Sequence, residues 1–287
     1  MMSSSDTIIS VENLTKVFRD FWRKPKVRAV DNVSFTIKRG EIFGLLGPNG
    51  SGKSTTIKML LGLLRPTSGN VTIFGANPQK SSVRSRIGYL PELSYLYKYL
   101  TPRETLNYYA GLFNIPYGKR KAKIETLLAD AGISAAADRP VGEFSKGMAR
   151  RVGLAQSLIN DPELIILDEP TSGLDPIGRY HVKTVIQNLA KSGATVLLSS
   201  HLLSEIEDVC NRVAILCDGR LRTEGELSEL LEKKEQIRMT LSKADDNTIQ
   251  SVKTILEKDG VDVSIDHPSV TLEQYFLNIV KGGEKRE

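Results

Sequence analysis

Gly47-Pro48-Asn49-Gly50-Ser51-Gly52-Lys53-Ser54-Thr55 is the stretch that decides the fold of this 287-residue chain. It follows the apolar run at residues 42–46 and leads into residues 56–61, in the order of strand, glycine-rich turn and helix. Glycines allow backbone conformations that turn consecutive N–H groups toward an anion, and the helix that follows adds the positive end of its dipole. The spacing G-x-x-x-x-G-K-[ST] therefore predicts a phosphate cradle in which Lys53 reaches the β- and γ-phosphates of a nucleotide and Ser54 binds Mg²⁺.

Composition and charge describe an ordinary globular protein. Hydrophobic residues make up 40% of the chain and charged residues 25%, and 39 basic against 34 acidic residues give a net charge of +5. This excess permits nucleic acid or an anionic membrane as a neighbour but identifies neither, and scattered surface lysines explain it more simply. Since no apolar run approaches the roughly 18 residues of a membrane span and residues 1–6 do not resemble a signal peptide, we expect a cytoplasmic protein of about two domains.

Cys210 and Cys217 have no second pair of cysteines with which to form a metal site or a disulfide framework. They are expected to be reduced, buried and inert.

Two further groups of polar residues follow predicted strands. Residues 164–167 form a continuous apolar run, typical of a parallel strand buried on both faces, and end in Asp168 and Glu169. Residues 195–198 predict another strand, and His201 lies just beyond it. Because parallel sheets bind ligands at the carboxyl ends of their strands, these groups and the phosphate cradle should lie together. We therefore predict a nucleotide hydrolysis site in which Asp168 holds the Mg²⁺ shell and Glu169 polarises the attacking water.

Helical periodicity begins in the middle of the chain. Thr101, Pro102 and Glu104 have the pattern of a helix N-terminus with a capping box, and a second helix is predicted at residues 119–131. We expect an inserted helical subdomain at about residues 93–145. Tyrosines usually pack in a core, although exposed ones would suit docking to a partner. Those that crowd the start of this subdomain are Tyr95, Tyr97, Tyr99, Tyr108 and Tyr109.

The remaining segments divide into strands and helices on either side of these motifs. Antiparallel strands are predicted at residues 8–11 and 33–37, with an aromatic and basic loop at 18–28 between them and a hairpin turn at 38–40. Further strands are expected at 71–74, 86–90 and around Val213, with a hairpin at 218–219, and helices at 148–159, 177–191 and 202–209. Beyond residue 232 the composition shifts to alternating lysine and acidic residues, which predicts a strand, helix, strand and helix at 237–241, 249–256, 261–265 and 272–280.

With these motifs the sequence resembles the nucleotide-binding subunits of ATP-binding cassette (ABC) transporters over about residues 8–232. Residues 47–55 match the Walker A segment, 164–169 the Walker B segment with its catalytic glutamate, 172–175 the D-loop, and His201 the switch histidine. Phe144-Ser145-Lys146-Gly147-Met148 matches the signature that family members usually write as Leu-Ser-Gly-Gly-Gln, which separates this family from other P-loop ATPases.

The resemblance implies an α/β fold with a P-loop NTPase core. This core has a mixed sheet, an antiparallel β subdomain and the inserted helical subdomain, all within an ATP-binding domain at residues 1–232. A small α+β extension without recognisable chemistry follows at residues 233–287.

The resemblance also implies a composite site. In this family two cassettes face head to tail, and each ATP lies between the Walker A segment of one subunit and the signature of the other. A serine and a glycine at a helix N-terminus would suit such a contact, because they offer a hydroxyl, an N–H group and a positive dipole to a γ-phosphate. The residues implied to act in trans are Ser145, Lys146, Gly147, Met148 and Asp175.

Other roles follow from the same resemblance. Lys53, Glu169 and His201 are expected to be catalytic, residues 47–55 to bind ATP, and Ser54, Asp168 and Glu92 to bind Mg²⁺. Glu92 aligns with the Q-loop glutamine of the family, where a carboxylate still ligates Mg²⁺ but adds a negative charge. The aromatic residue that stacks on adenine aligns best with Phe18, while Phe21 and Trp22 are alternatives.

These inferences predict an ATP-hydrolysing subunit that drives export through separate integral membrane subunits. Its signature is similar to that of the exporter branch for drugs, polysaccharides or ions. The subunit is expected on the cytoplasmic face of the inner membrane, with a second copy or a homologous cassette as partner and without nucleic acid. An ABC importer subunit is the nearest alternative. A soluble cassette of translation or repair would need a second cassette, a coiled-coil insertion or a zinc unit, and a regulatory scaffold would lack Lys53 or Glu169. The sequence leaves open the substrate, the choice between homodimer and heterodimer, and the role of the C-terminal extension.

Overall fold

The computed structural model describes residues 6–22, 25–232 and 245–258. The chain divides into two compact units, Met1–Leu230 and Leu231–Glu287. From the second unit the structure describes one helix, Asp246–Lys258, which contains the helix predicted at residues 249–256. The elements predicted at 237–241, 261–265 and 272–280 lie outside the described residues. The domain boundary at residue 232 stays a prediction.

A three-stranded antiparallel sheet begins the first unit. Its strands are β1 (Thr7–Arg19), β2 (Pro25–Lys38) and β4 (Ser68–Ile73), in the order β2-β1-β4. The antiparallel strands predicted at 8–11 and 33–37 are confirmed, but they are longer than the apolar pattern indicates. The predicted loop at 18–28 is wrong for most of its length, because Phe18 pairs with Val27 and Arg19 with Pro25.

A six-stranded mixed sheet forms the centre of the first unit. Its strands are β3 (Ile42–Leu46), β5 (Ile87–Leu90), β6 (Leu164–Asp168), β7 (Thr195–Ser200), β8 (Arg212–Cys217) and β9 (Arg220–Glu226). The order is β5-β6-β7-β3-β8-β9, in which the first five strands run parallel and β9 pairs antiparallel with β8. The hairpin predicted at residues 218–219 is therefore confirmed.

The hairpin predicted at residues 38–40 is wrong, because the strands on its two sides belong to different sheets. Polar contacts hold this turn as the chain crosses from β2 to β3. The N–H of Lys38 donates to Glu41 Oε1 at 2.6 Å, and the N–H of Gly40 donates to Thr195 Oγ1 at 2.9 Å. Turn residues predict where the strands end, but they do not specify which strands pair.

The helices that pack on the large sheet lie in two groups, one on each of its faces. The helices up to residue 232 are α1 (Lys53–Leu60), α2 (Ser81–Arg84), α3 (Pro102–Leu112), α4 (Tyr117–Asp130), α5 (Lys146–Ser157), α6 (Pro176–Lys191), α7 (Leu203–Val209) and α8 (Leu227–Leu231). The described helix of the second unit is α9 (Asp246–Lys258). Ile165 and Leu167 of β6 pack in a core with α3 to α7, whereas Leu164 and Ile166 face a second core with α1, α2 and the antiparallel sheet. Burying each such side chain stabilises the fold by about 1.5–3 kcal/mol, so this alternation fixes the register of β6.

The helical subdomain begins with the predicted capping box. Thr101 Oγ1 accepts a hydrogen bond from the N–H of Glu104 at 3.1 Å, and the N–H of Thr101 donates to Glu104 Oε2 at 2.9 Å. Three tyrosines that precede this helix are exposed rather than packed in a core. Their exposed fractions are 84% for Tyr95, 60% for Tyr97 and 94% for Tyr99.

The two cysteines are free thiols, as expected. Cys210 is buried, and this burial raises the pKa of its thiol to about 12, which makes it a poor nucleophile. Cys217 is only half-buried, so the expectation of burial is wrong for this residue.

The capping box predicts a measurable loss of stability in Thr101→Ala. Removing the hydroxyl leaves an N–H group of α3 without its acceptor, which should cost about 1 kcal/mol of unfolding free energy. The decrease should appear as a lower urea midpoint of the full chain. Thr101→Ser keeps the acceptor and serves as the matched control. Equal midpoints for the alanine and serine variants would contradict a stabilising role of the cap.

Candidate active site

Three neighbouring strands bring the polar segments predicted from the sequence to one edge of the sheet. Strand β7 lies between β6 and β3, and its register pairs Ser199 with Asp168 and Ser200 with Leu46. The strands are parallel, so their carboxyl ends share this edge. The glycine-rich loop after β3, the carboxylates after β6 and His201 after β7 are therefore adjacent, as the sequence predicts.

The loop between β3 and α1 forms the expected cradle. Gly52 has φ +101°, and a Cβ at this position would lie 2.5 Å from the carbonyl oxygen of Ala29, so only glycine fits. Helix α1 begins at Lys53, inside the motif. The ammonium group of Lys53 is buried and donates to the carbonyl oxygens of Gly47 at 2.6 Å and Pro48 at 3.3 Å. The loop thus holds a cation where phosphates are expected.

Asp168 ends β6 and is buried, with hydroxyl groups on both sides. Its Oδ1 accepts hydrogen bonds from Ser199 Oγ at 2.6 Å and from Ser54 Oγ at 3.3 Å. The structure therefore brings together the two residues predicted to bind Mg²⁺ in the phosphate loop and the sheet. It adds Ser199, which the sequence analysis did not identify as part of the site. Its position one residue before the end of a strand adjacent to β6 is the signal that could have indicated this role.

Glu169 leaves the sheet through an unusual backbone conformation. Its φ is +52°, in the left-handed region that residues with a Cβ seldom adopt, and its N–H donates to Ser199 Oγ at 3.1 Å. The carboxylate lies between two cationic or polar groups. Its Oε1 is 3.6 Å from Lys53 Nζ, and its Oε2 is 2.7 Å from His201 Nδ1. The carboxylate of Glu169 thus makes contact with both other residues predicted to be catalytic, and its own role stays a prediction.

These residues fit a nucleotide with its magnesium ion. Ser51 Oγ is buried in the cradle without a hydrogen-bond partner among the described residues, which leaves a polar group available to a phosphate. Ser54 and Asp168 offer a hydroxyl and a carboxylate to a metal. Within the described part of the chain no group of three His, Cys, Asp or Glu residues could hold a metal ion. A site with few protein ligands suits Mg²⁺, because this ion keeps several waters and substrate phosphates complete its coordination shell.

Arg150 in α5 is a buried cation at this site that the sequence analysis missed. Its guanidinium donates to five main-chain carbonyl oxygens, those of Pro91, Glu92, Asp168, Glu169 and Pro170. Burial lowers the pKa of Arg150, whereas the negative charges of Asp168, Glu92 and Glu169 oppose this shift. A charged residue four positions before Leu154, on the buried face of an amphipathic helix, is the signal that could have found it.

The signature segment lies at the N-terminus of α5. Ser145 is the N-cap of this helix, and its Oγ accepts from the N–H of Met148 at 3.2 Å. The side chain of Lys146 covers Gly173 of the D-loop, where a Cβ would lie 2.9 Å from Lys146 Nζ. Asp175 caps α6, with Oδ1 accepting from the N–H of Gly178 at 2.8 Å. The residues expected to act in trans therefore also organise two helix starts of their own chain.

The candidates for adenine stacking lie near the turn between β1 and β2. Phe18 is 41% exposed, and Lys16 Nζ lies 5.4 Å from its ring centroid. Phe21 and Trp22 are more exposed and pack edge to face, with ring centroids 5.6 Å apart.

Glu92, the predicted Q-loop metal ligand, is exposed at its side chain and held by Arg150 through its main-chain oxygen at 2.8 Å. The roles of Phe18 and Glu92 stay predictions.

Comparison with known proteins agrees with this geometry. The family model described as ABC transporter matches residues 30–172. An uncharacterized ABC transporter ATP-binding protein of Nostoc sp. strain PCC 7120 is 46% identical over 231 residues, which cover 79% of this chain and 69% of that protein. The Nod factor export ATP-binding protein I of Sinorhizobium fredii is 41% identical over 233 residues, covering 80% of this chain and 66% of that protein.

A solved structure has a similar fold. The ATP-binding cassette MJ0796, a dimer in a post-hydrolysis state bound to ADP and phosphate, aligns with a TM-score of 0.71 and 26% identity. The alignment covers 76% of this chain and 98% of that one. Among the described residues, no helix has the length and apolar character needed to cross a membrane. The resemblance inferred from the motifs is confirmed: this chain belongs to the ATP-binding proteins of ABC transporters and has the fold of an ABC ATPase cassette.

Proposed function

We propose that this ATPase subunit powers export of a solute through separate membrane subunits. The observation that carries the proposal is the signature Ser145-Lys146-Gly147-Met148 at the start of α5, a version similar to that of the exporter branch. The 41% identity to a Nod factor export protein supports the same direction. The signature is similar to that of exporters for drugs, polysaccharides or ions, but the membrane subunit selects the substrate in such systems, so the cassette itself does not specify the solute.

The geometry supports a division of roles in ATP hydrolysis. Lys53 would neutralise charge on the β- and γ-phosphates, and Glu169 would accept a proton from the attacking water. His201, 2.7 Å from Glu169, would orient this carboxylate. Ser54, Asp168 and Glu92 would hold Mg²⁺, which when bound neutralises phosphate charge that builds up during the reaction.

A second cassette would complete the site. Ser145 and Lys146 are exposed at the N-terminus of α5, which presents a positive dipole end to solvent. In a head-to-tail pair this end would face the γ-phosphate bound by the partner's cradle. The partner would be a second copy of this chain or a homologous cassette.

The exposed tyrosines support a membrane partner. Tyr95, Tyr97 and Tyr99 follow the segment of Glu92 directly, so a protein bound to them would be coupled to the nucleotide site through a short stretch of backbone. Tyrosine is enriched at protein interfaces because it combines a large apolar area with a hydroxyl. The subunit would then lie on the cytoplasmic face of the inner membrane, bound to the transporter rather than to lipid.

The export proposal predicts ATP-driven uptake into inverted membrane vesicles. A tagged chain is used to co-purify its membrane subunits, which are then expressed with the wild-type cassette in vesicles whose cytoplasmic face points outward. A panel of labelled drugs, oligosaccharides and ions is then tested. ATP added outside should drive at least one of these compounds into the lumen, because an exporter moves solutes away from its ATP-binding side.

Lys53→Ala vesicles are the matched control, since they keep the membrane subunits but lack the charge that holds the phosphates. ATP-driven release of preloaded solute would indicate an importer instead. Co-purification of a ribosome or a repair complex without any membrane protein would contradict the transport function altogether.

Glu169→Gln should separate ATP binding from hydrolysis. The amide keeps the shape of the side chain but cannot accept the proton, so turnover should fall about 10²- to 10⁴-fold while ATP affinity changes little. Phosphate release and equilibrium binding of a fluorescent ATP analogue measure the two properties. Near-normal turnover would show that another residue activates water.

The composite site predicts complementation between two inactive variants. Lys53→Ala chains keep an intact signature and Ser145→Arg chains keep an intact cradle. In a mixed dimer one site carries both lesions and the other carries neither, so ATPase activity should reappear on mixing.

The control is a chain with both substitutions mixed with wild type. Each site of this mixed dimer carries one lesion, so activity should not exceed that of the wild-type homodimers in the mixture. If the first mixture stays inactive, ultracentrifugation of Glu169→Gln with ATP tests dimerisation directly. An inactive mixture together with a strictly monomeric Glu169→Gln chain, both in the presence of the membrane partner, would reject the composite site.

A further inference from the structure

We propose that Arg150 is a positioning residue that fixes the Glu92 segment against the Asp168–Pro170 segment and joins both to the signature through α5. The inference rests on the hydrolysis site proposed above, but not on the direction of transport. Arg150 touches neither carboxylate in the hydrogen bonds described; it acts through the main chain that carries them.

Each N–H group of Arg150 has its own acceptor. The Nε donates to Pro170 at 3.2 Å, Nη1 to Pro91 and Glu92, and Nη2 to Asp168 and Glu169. A guanidinium has five N–H donors in a rigid plane, so all five are used and none is left unpaired. Because the plane is rigid, the five carbonyl groups, and the two segments that carry them, are held at fixed relative positions.

The two segments belong to different strands and different parts of the proposed site. Pro91 and Glu92 follow β5 directly, whereas residues 168–170 end β6, and these strands are neighbours in the sheet. The sheet ladder pairs Leu90 with Leu167 and extends no further in the described structure. Beyond this point Arg150 supplies the connection between the backbone of the Q-loop and that of the catalytic glutamate.

Charge also favours a cation at this position. Arg150 is only 4% exposed, yet its main partners are neutral carbonyl groups rather than a carboxylate. The negative charges of Asp168, Glu92 and Glu169 are near enough to act on it electrostatically. A purely packing role at a buried position would be served as well by an apolar side chain, which carries no desolvation cost. The directional bonds to two site segments are what an apolar side chain could not supply.

Arg150 also connects the site to the signature. It lies five residues after Ser145, the N-cap of α5, which is about 7.5 Å along a helix at 1.5 Å per residue. Such a short helical segment transmits displacement without bending. A movement of the signature on contact with a second cassette would therefore move Arg150 and, with it, the main chain of Glu92 and Glu169.

The experiment compares Arg150→Gln, Glu92→Gln and the double variant in the full chain. Two quantities are measured for each: kcat for ATP hydrolysis, and the magnesium ratio, defined as ATP affinity in Mg²⁺ divided by ATP affinity in EDTA. The magnesium ratio is measured from ATP binding alone and does not require hydrolysis. Arg120→Gln is the matched control, because Arg120 also binds a main-chain oxygen, that of Ile115 at 2.7 Å, but belongs to the helical subdomain.

We expect Arg150→Gln to lower kcat by about 10²-fold, the loss typical of a misplacement of about 1 Å at a reacting centre. The magnesium ratio should shift as it does in Glu92→Gln, and the double variant should shift no further, because both substitutions disturb one ligand. Arg120→Gln should change neither quantity. Normal kcat in a folded Arg150→Gln chain, or shifts of the magnesium ratio that multiply in the double variant, would overturn the proposal.

Folding is checked by the urea midpoint and by ATP affinity in EDTA. If Arg150→Gln does not fold, Arg150→Lys is tested in the same way, since an ammonium keeps the charge but cannot span five carbonyl groups. If neither variant folds, a role of Arg150 in folding is sufficient to explain its buried contacts, and the proposal is rejected. If Lys53→Ala leaves ATP hydrolysis unchanged, the proposed hydrolysis site itself is wrong. This result distinguishes failure of the site assignment from failure of the role proposed for Arg150.

Discussion

Burial of two cations and two carboxylates at one edge of a sheet is the constraint on which the rest of this structure depends. Lys53, Arg150, Asp168 and Glu169 are each no more than 7% exposed. Taking an ion out of water costs several kcal/mol unless charges and hydrogen bonds compensate it. The compensating groups come from the glycine-rich loop, the end of β7, the segment after β5 and helix α5. The fold must therefore hold separate segments of the chain in register before any of these charges can be buried.

The buried strands provide this register, and their pattern is the reason why much of the site could be predicted. A continuous apolar run that ends in Asp168 and Glu169 specifies a strand with two covered faces and places its carboxylates at the carboxyl edge. The spacing of Gly47, Gly52 and Lys53 specifies the conformation of the loop, because a glycine-rich turn before a helix has few conformations available. Local pattern and site geometry coincide at these positions, and the structure brings the predicted residues together.

Where partners lie far apart in sequence, prediction failed for physical reasons. Residues 38–40 have the composition of a turn, but pairing between sheets is decided by which apolar faces meet, and this information is distributed over both cores. A second failure is local: Phe18–Arg19 and residues 25–28 are polar and aromatic, yet they pair with each other as ends of β1 and β2, which extends the ladder of the more apolar residues beside them. Ser199 and Arg150 contribute through contacts to segments 18 to 59 residues away; their local positions mark them as candidates, but local spacing does not specify which segments they contact.

The helix starts show how one set of groups can serve both the chain itself and a second cassette. Ser145 Oγ accepts a hydrogen bond from the N–H of Met148, which orders the first turn of α5 and leaves the hydroxyl proton free to be donated. The cap thus holds the donor in place before any phosphate arrives, so binding would require little reorganisation. The side chain of Lys146 also lies beside Gly173 of the D-loop, so the start of α5 and the segment that follows Glu169 are neighbours. A phosphate bound at the signature would therefore act on the same helix that carries, about 1.4 turns later, the guanidinium bound to the main chain of Asp168 and Glu169.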